Sequence, residues 1–282
     1  MRRPPPHKKT PFPTRRDKRP SPDVGAPRRD APGRAPEAVS QFRRPSAELA
    51  ALYGFHPVRE ALRMQRRKLL GLFATNGAAA RLQDEITQSG VALTIVEPQD
   101  LDRRLGRDAV HQGLLLEARP LPALDIADVA NDSGTLIVLD GITDPHNVGA
   151  ILRTAAAFAV TGLIMTERNA PPLDGVLAKA ASGALEHVPI VHVTNLARAL
   201  DTISEYGFYR VGLDSEGAAD LGTVLDARPT ALVLGAEGSG LRRLTRERCD
   251  VVARLALPGI IRSLNVSNAC AAALALRHAK LA

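Results

Sequence analysis

Three segments in the C-terminal half of the chain place glycines or short polar side chains directly after runs of apolar residues. They cover residues 140–153, 233–241 and 255–268. In parallel α/β sheets, ligands bind in the crevice outside the carboxyl ends of the strands, which is where these segments are expected to lie. The three segments are therefore the predicted binding or catalytic site.

The first segment combines a turn, an amide and a guanidinium. Asp144-Pro145 favours a turn, and Asn147 is placed to cap the helix that follows. Arg153 comes six residues later, less than two helical turns, so it can point back toward the same helix end. The alternative is a capping Asn and a solvated Arg, and for either residue alone this alternative is the better interpretation.

The second segment, centred on Glu237, contains three glycines after an apolar run, which lets the backbone approach a ligand closely. The glycine order is GxxGxG, which differs from the GxGxxG of dinucleotide-binding proteins, and no phosphate-binding Lys-Ser or Lys-Thr pair follows. A glutamate in the middle would also repel phosphates. The segment argues against a nucleoside triphosphate and, taken alone, is a weak indication of any site.

The third segment packs four short polar residues into the turn between a predicted strand and the last helix: Ser263, Asn265, Ser267 and Asn268. Such residues at a helix start are usually caps. One cap needs only one of them. Four within six positions therefore favour a binding or catalytic role.

The elements that must position these segments alternate between strands and helices from residue 135 onward, which predicts an α/β fold with a parallel sheet covered on both faces. Predicted strands cover 135–139, 162–166, 188–193, 208–213, 230–234 and 251–257, and predicted helices 149–160, 175–184, 196–206 and 266–281. Upstream, a helical pattern over 47–64 is interrupted at Gly54 and Pro57. A βαβ-like unit follows, with strands over 69–74, 91–96 and 114–118 and a helix over 78–89.

Charge and proline content divide the chain into four predicted regions. These are a disordered basic tail (1–46), a small α/β domain (47–118), a linker (119–134) and a large α/β domain (135–282). Residues 1–44 hold 13 Lys and Arg, 4 Asp and Glu and ten prolines, whereas the remainder holds 24 basic and 26 acidic residues. A basic disordered arm is typical of nucleic-acid binding, because phosphate contacts release counterions. The alternative is a solubilising extension.

Cysteine usage and hydropathy exclude several classes of protein. The only cysteines, Cys249 and Cys270, have no metal-ligand spacing and suggest no disulfide framework, so we expect no metal. The N-terminus lacks an apolar signal core, and no apolar run reaches membrane-spanning length, so we expect no membrane partner. The expected location is the cytoplasm.

Together the three segments resemble motifs 1, 2 and 3 of the SpoU/TrmH group, within the SPOUT class of RNA methyltransferases. The matching stretches read LDGITDPHNVGAILRTA, LVLGAEGSGLRRLTRERCD and SLNVSNA, in the family's order and spacing. Residues 52–120, with YGFHPVREAL and AVHQGLLLEARP, are similar to the accessory domain of members that act on large-subunit ribosomal RNA. The resemblance covers roughly residues 50–282 and leaves out the basic tail.

This resemblance implies a C-terminal SPOUT domain whose parallel sheet is closed by a deep trefoil knot, with S-adenosylmethionine held in the knot. One departure is Leu-Ala-Leu at 255–257, where many relatives read Ile-Pro-Met. The positions that match the family's cofactor contacts, with two plausible neighbours, are Gly235, Leu255, Leu257, Ile260 and Leu264. The positions that match its catalytic set are Asn147, Arg153, Glu237, Ser263 and Asn265.

By the same resemblance, Arg153 acts on the 2′-hydroxyl of a ribose. A guanidinium is a poor base, so we prefer an Arg153 that binds the neighbouring phosphate and stabilises alkoxide charge, with literal proton abstraction left open. Asn147 and Asn265 would orient the ribose and Arg153. Glu237 would pair with a helix N-terminus or orient Arg153, and Ser263 would join the same network.

The sequence therefore predicts an S-adenosylmethionine-dependent RNA 2′-O-methyltransferase, acting on a guanosine of large-subunit (23S) ribosomal RNA and forming a homodimer. The alternatives are a transfer-RNA enzyme of the same family and a non-catalytic RNA-binding protein on the same scaffold. A nucleotide-binding Rossmann enzyme is disfavoured by the glycine order. The candidate phosphate contacts, each of which could instead be a solvated side chain, are Arg59, Arg63, Arg66, Arg67, Arg242, Arg243 and Arg262.

Overall fold

A computed structural model describes residues 42–130 and 134–281. The predicted disordered tail ended at residue 46, and its residues 1–41 lie outside the described part of the chain. Its last residues differ from the prediction. The Phe42 ring packs against Phe73 with 4.5 Å between centroids, and the Arg43 backbone N–H donates to the carboxylate of Glu117. These contacts make 42–43 part of the first folded region.

That first region is built on a four-stranded sheet, called here the small sheet, in the order β1-β4-β2-β3. Strand β4 is antiparallel to β1 and β2, while β2 and β3 are parallel, so the predicted βαβ arrangement describes only part of it. The strands are β1 (Ala50–Tyr53), β2 (Leu69–Ala74), β3 (Leu93–Ile95) and β4 (Leu114–Ala118). The helices are α1 (Phe55–Met64), α2 (Asn76–Ala80), α3 (Gln83–Ser89) and α4 (Pro98–Leu105).

The helical pattern predicted over 47–64 is wrong for its first half. Residues 50–53 form β1, in which the buried Leu52 lies opposite Leu116 of β4. The helix begins only at Phe55, after Gly54, whose φ of 89° favours glycine. Alanine and leucine favour helices locally, but pairing with a strand more than 60 residues away overrides that preference here.

The second region is a seven-stranded, fully parallel sheet, the large sheet, in the order β7-β6-β5-β10-β8-β11-β9. It confirms the predicted parallel α/β fold. Its strands are β5 (Thr135–Asp140), β6 (Gly162–Thr166), β7 (Ile190–Val193), β8 (Tyr209–Leu213), β9 (Ala219–Asp220), β10 (Thr230–Gly235) and β11 (Val251–Arg254). The helices are α5 (Ile126–Val129, in the predicted linker), α6 (Pro145–Ala157), α7 (Gly175–Ala181), α8 (Leu196–Glu205), α9 (Leu221–Val224), α10 (Arg243–Glu247) and α11 (Val266–Ala279).

Between their first and last residues the central strands β5 and β10 are apolar, because helices cover both faces of the large sheet. Ile137, Leu139 and Leu234 pack into one hydrophobic cluster, and Val138 and Val233 into the other. Strand β11 ends at Arg254, three residues before the predicted end, and the chain then leaves the sheet. Among the described residues, no helix is both long and apolar enough to cross a membrane.

Polar contacts join the small sheet and its flanking segments to α7 and to the chain around a 3-10 turn at Ala184–Glu186; we call them the sheet–sheet contacts. Asp174 accepts from the Ala51 N–H of β1 at 3.3 Å, and Lys179 of α7 donates to Gln112 at 2.6 Å. His187 lies 2.9 Å from Glu60 of α1. Burial raises the pKa of the Asp174 carboxyl, even though the Ala51 N–H acts in the opposite direction.

One predicted RNA contact, Arg67, is buried in the same region. The side chain of Arg67 is fully buried and lies 2.7 Å from the carboxylate of Glu186. The attraction between the two buried charges offsets part of the cost of removing them from water. Arg67 is therefore unavailable to a phosphate, and its assignment to RNA binding was wrong.

Candidate active site

The three predicted site segments converge because four adjacent strands of the large sheet end beside one another. Strand β10 pairs with β5 on one side and with β8 on the other, and β8 pairs in turn with β11. All run in the same direction, so their carboxyl ends share one edge. The segments after β5, β10 and β11 meet at that edge, where the parallel-sheet rule predicted a ligand site.

Three of the predicted catalytic side chains form one hydrogen-bonded group, the Asn147–Glu237–Asn265 network. Glu237 Oε1 accepts from Asn265 Nδ2 at 2.6 Å and from Asn147 Nδ2 at 3.2 Å. Asn265 Nδ2 also donates to Asn147 Oδ1 at 2.9 Å. The residues come from all three segments, up to 118 positions apart, so only the fold brings them together.

The network is held at two helix N-termini. The backbone N–H of Val266, in the first turn of α11, donates to Glu237 Oε1 at 3.3 Å, where a negative charge also suits the helix dipole. Asn265 is the N-cap of α11 and accepts from the Ser267 N–H at 3.0 Å. Of the two roles considered for Glu237, pairing with a helix N-terminus is the one present.

Asn147 is not the cap of α6, as the sequence had suggested. Asp144 caps this helix, accepting from the backbone N–H groups of His146 at 3.1 Å and Asn147 at 3.3 Å. Both residue types are good caps, but Asp144 directly precedes Pro145, which is favoured at the first helical position. Asn147 then lies in the first turn, and its side chain is free to join Glu237 and Asn265.

The glycine-rich segment folds back on itself. Residues Ala236 and Gly240 form an isolated antiparallel bridge. A Cβ on Gly235 would lie 2.3 Å from the carbonyl carbon of Gly240, so no larger residue fits there. The buried Asp140, at the end of β5, holds the far end of the loop by accepting from the Arg242 N–H at 2.8 Å and from its guanidinium.

A cavity of about 540 Å³, the loop cavity, opens between these segments. It lies beside Glu237 and Ser263 of the predicted catalytic set. Of the predicted cofactor contacts, four line it: Gly235, Leu255, Leu257 and Leu264. Ile260 does not line the cavity. It lies three residues after Leu257, and its side chain is 98% exposed.

Charged residues that the sequence analysis missed also line the loop cavity. They are Asp214 and Glu216, which follow β8, and Arg246 of α10. Asp214 comes directly after the predicted strand 208–213, so the rule that pointed to the other three segments applied to it as well. The turn also carries short polar residues and a glycine, in the order Asp214-Ser215-Glu216-Gly217, so the sequence did contain a signal for it.

The residues of the loop cavity fit S-adenosylmethionine, the cofactor implied by the resemblance. The volume lies within the range of roughly 300–1,000 Å³ typical of small-molecule sites. Leucine side chains suit the adenine and the methionine chain, and backbone groups of the glycine-rich segment can approach a ligand closely. The carboxylates of Asp214, Glu216 and Glu237 suit a ligand that carries a sulfonium, an ammonium group and hydroxyl groups.

The remaining predicted residues lie around this centre. Arg153 of α6 is exposed, and within the described part of the chain its guanidinium has no hydrogen-bond or ion-pair partner. Arg262 is exposed and lines the loop cavity. The other predicted RNA contacts are engaged within the chain: Arg59 with Glu85 at 3.0 Å, Arg63 with Glu60 at 3.5 Å, Arg66 with the Glu186 carbonyl at 3.1 Å, Arg242 with Asp140, and Arg243 with Glu247 at 2.6 Å. In residues 42–130 and 134–281, no group of three or more His, Cys, Asp or Glu could hold a metal ion.

Comparison with known proteins agrees with this arrangement. Residues 134–275 match the model of the SpoU rRNA methylase family, and residues 51–124 match the RNA 2′-O ribose methyltransferase substrate-binding domain. Curated relatives include the 23S rRNA (guanosine-2′-O-)-methyltransferases RlmB of Vibrio parahaemolyticus and Pasteurella multocida. The first is 36% identical over 77% of this chain and 92% of its own length, and the second is 39% identical over 77% and 93%.

Solved structures share the fold. The SpoU methyltransferase AviRb from Streptomyces viridochromogenes, in complex with AdoMet, superposes with a TM-score of 0.71 and 23% identity, over 82% of this chain and 89% of its own. An AdoMet-bound rRNA methyltransferase from Sinorhizobium meliloti also has a TM-score of 0.71, with 20% identity over 83% and 88% of the two chains. The family-model match spans half of the chain, and the curated relatives are matched over nearly their whole length. The chain therefore belongs to the SpoU rRNA methylase family.

Proposed function

We propose that this protein transfers a methyl group from S-adenosylmethionine to the 2′-hydroxyl of a guanosine ribose in 23S ribosomal RNA. The observation that carries the proposal is the Asn147–Glu237–Asn265 network, which lies beside the loop cavity with hydrogen bonds of 2.6–3.2 Å. The curated relatives, 36 and 39% identical, are named for this reaction on this RNA and favour it over a transfer-RNA substrate.

The chemistry asks the protein mainly to align two groups. When bound, S-adenosylmethionine supplies a methyl group on a sulfonium, which is already a good leaving group. The chain must then hold the attacking oxygen in line with that methyl group and exclude competing orientations. Asn147 and Asn265 are suited to this task, because Glu237 fixes both amides and thereby limits which of their donors and acceptors can face a ribose.

Arg153 is proposed to stabilise charge on the ribose oxygen. A guanidinium carries its positive charge throughout the working range of proteins, so it is a poor acceptor of the hydroxyl proton. An exposed guanidinium can instead bind a phosphate next to the target ribose and lower the energy of the developing alkoxide, while the hydroxyl proton passes to solvent water. The absence of a side-chain partner among the described residues leaves Arg153 available for this contact.

RNA binding is proposed to involve both folded regions. The region that matches a substrate-binding domain carries Arg59 and Arg63, which are partly exposed although each is ion-paired. Near the loop cavity, Arg243 and Arg262 are the exposed candidates, and Arg242 is partly committed to Asp140. The basic residues before Phe42 would add affinity that depends on salt.

We also propose a homodimer. Ile260 and Ile261 are 98 and 73% exposed next to the loop cavity, and leaving two such side chains in water is unfavourable. Contact with a second copy would cover both side chains. Ile260, which does not line the loop cavity within one chain, would then lie in the dimer interface. The trefoil knot, implied by the resemblance, and a cytoplasmic location, expected for an enzyme acting on ribosomal RNA, stay predictions.

Two measurements test the proposed function together. Sites of 2′-O-methylation would be mapped on total RNA from cells with and without the gene, and the purified protein would be assayed with labelled S-adenosylmethionine on 23S rRNA and on transfer RNA. We expect one guanosine of 23S rRNA to lose its methyl group without the gene and to gain it in vitro. Methylation of transfer RNA alone would favour that branch of the family. RNA binding without any affinity for the methyl donor would favour a non-catalytic protein.

A further inference from the structure

The loop cavity has a charged wall that the Asn147–Glu237–Asn265 network does not use. This wall is formed by Asp214 and Glu216, together with Arg246 of α10. We propose that Asp214 recognises the two ribose hydroxyls of the methyl donor, and that Arg246 is a positioning residue that holds the Asp214 carboxylate for this contact. The inference rests on the proposed function, because it concerns the same cavity.

The position of Asp214 follows from the order of the strands. Leu213, the last residue of β8, lies opposite Leu234 of β10. The next residues along these neighbouring strands are Asp214 and Gly235, so the carboxylate lies at the same edge as the glycine-rich segment. A carboxylate at this place, beside a glycine loop at the end of a neighbouring parallel strand, is the arrangement with which other α/β proteins bind ribose hydroxyls.

Contacts within the chain orient the Asp214 carboxylate. Its Oδ1 accepts from the Glu216 N–H at 2.9 Å, and its Oδ2 accepts from Nη1 of Arg246. The backbone is held as well, since the Asp214 N–H donates to the Ala253 carbonyl of β11 at 3.0 Å. Two carboxylate oxygens offer about four lone-pair positions, so about two remain for hydroxyl donors.

Space above the carboxylate is kept open by a glycine. A Cβ at Gly240 would lie 3.4 Å from Oδ2 of Asp214, where a hydroxyl of a ligand would have to approach. Gly240 also has a φ of 64°, a conformation that L-residues rarely adopt. Loop geometry and cavity access therefore call for the same residue at this position.

Among the groups of S-adenosylmethionine, the ribose is the best partner for Asp214. A carboxylate only accepts hydrogen bonds, and the vicinal hydroxyls of a ribose present two donors side by side. The α-carboxylate of the methionine moiety would be repelled by Asp214 and Glu216. The α-amino group, the sulfonium and the adenine amino group are the competing partners. The experiment below uses compounds without the sulfonium and separates the other two groups from the ribose.

The test measures binding of S-adenosylhomocysteine and of 5′-methylthioadenosine by titration calorimetry. The second compound keeps the ribose and lacks the amino acid. Asp214→Asn should weaken both by a similar factor, about tenfold, because a charged acceptor of two hydroxyls is lost. Glu247→Gln is the matched control: it removes one negative charge from α10, the helix of Arg246, at a residue that pairs with Arg243 and does not line the cavity. It should leave both affinities unchanged.

The 2′-deoxy and 3′-deoxy forms of 5′-methylthioadenosine supply a readout that general damage to the fold would not reproduce. The wild-type protein should bind them more weakly than the parent compound, and Asp214→Asn should lose most of that discrimination. Arg246→Met should produce a smaller loss of affinity, about twofold to threefold, because the carboxylate stays but is less well oriented.

The possible results separate the two levels of the proposal. Equal affinity of wild-type protein for the ribose and deoxyribose compounds overturns the role of Asp214, and needs no variant to fold. Weaker binding of S-adenosylhomocysteine alone in Asp214→Asn assigns the carboxylate to the amino group and also overturns it. A wild-type protein that binds none of these compounds contradicts the proposed function itself.

Discussion

Replacing Glu237 by glutamine or alanine should slow methyl transfer without abolishing the binding of S-adenosylhomocysteine in the loop cavity. Glu237 Oε1 accepts from three donors, the side-chain amides of Asn147 and Asn265 and the backbone N–H of Val266. Glutamine keeps one oxygen of similar shape but removes the charge. Alanine removes the acceptor, so both amides are free to rotate away from the ribose.

The size of the effect can be estimated from the contacts. Hydrogen bonds to a charged acceptor contribute about 1.5–3 kcal/mol and neutral ones about 0.5–1.5 kcal/mol, so three bonds to Glu237 lose about 3 kcal/mol when the charge is removed. Glu237 is exposed, and solvent screening reduces this by about half, to about 1.5 kcal/mol. The resulting loss in kcat/KM is about tenfold for Glu237→Gln, and about a hundredfold for Glu237→Ala, which also frees the amides.

The assay measures kcat/KM for methyl transfer to 23S rRNA, alongside the affinity for S-adenosylhomocysteine. Glu205→Gln, an exposed carboxylate at the end of α8, is a control with the same change in charge. The affinity should stay within about threefold in both Glu237 variants, since the leucines, the backbone groups and the other charged residues of the cavity wall are unchanged. A Glu237→Ala protein with wild-type kcat/KM, or one whose whole defect is weaker S-adenosylhomocysteine binding, would refute the reasoning.

Three further outcomes are expected. Arg153→Ala should abolish turnover but keep S-adenosylhomocysteine affinity within a few-fold, because its exposed guanidinium is outside the loop cavity wall; comparable loss of both in paired titrations and transfer assays would contradict this division of roles. Gly235→Ala should weaken the affinity for S-adenosylhomocysteine by at least about tenfold, since the new Cβ would lie 2.3 Å from Gly240. Gly259→Ala is the control, because no atom lies within 4 Å of its Cβ, and it should leave this affinity unchanged. Equal titration curves for the two variants would contradict the prediction. Burial raises the pKa of Asp174, so its carboxyl binds a proton more tightly in the folded chain than in the unfolded chain. This proton stabilises the fold at low pH. The stabilisation is lost as pH rises from about the ordinary pKa of 3.8 through the raised value. Asp174→Asn keeps an acceptor for Ala51 and should melt at a higher temperature than wild type near neutral pH, with the advantage shrinking toward pH 3.8; an advantage independent of pH in thermal unfolding would rule out this cause.

The large sheet could be predicted from the sequence because its signals are local. Strand β10 is an uninterrupted apolar run followed by glycines, which is typical of a strand buried on both faces. The predicted grouping of Asn147, Glu237 and Asn265 also agrees with the structure, but it rests on strand order and not on a local signal. Each lies in a segment that follows a strand, and parallel strands bring such segments to one edge.

Other features depend on distant partners and could not be predicted in this way. Three of the four residues of strand β1 favour helix, and its pairing with β4 makes it a strand. Arg67 stands among several cations at the end of α1, and only its contact with Glu186, far away in the sequence, shows that it is buried. Asp214 itself follows a predicted strand and could have been found by the same rule, but its contact with Arg246, 32 residues away, depends on the fold.

The sheet–sheet contacts have a consequence for how this enzyme selects its target. Asp174, Lys179 and His187 hold the small sheet and its flanking segments by several polar contacts. If RNA binds there, as proposed, its distance from Glu237 would be fixed, and we expect a ribose to react only where the RNA fold spans that distance. Substrate choice would be encoded in RNA architecture as much as in the identity of the modified nucleotide.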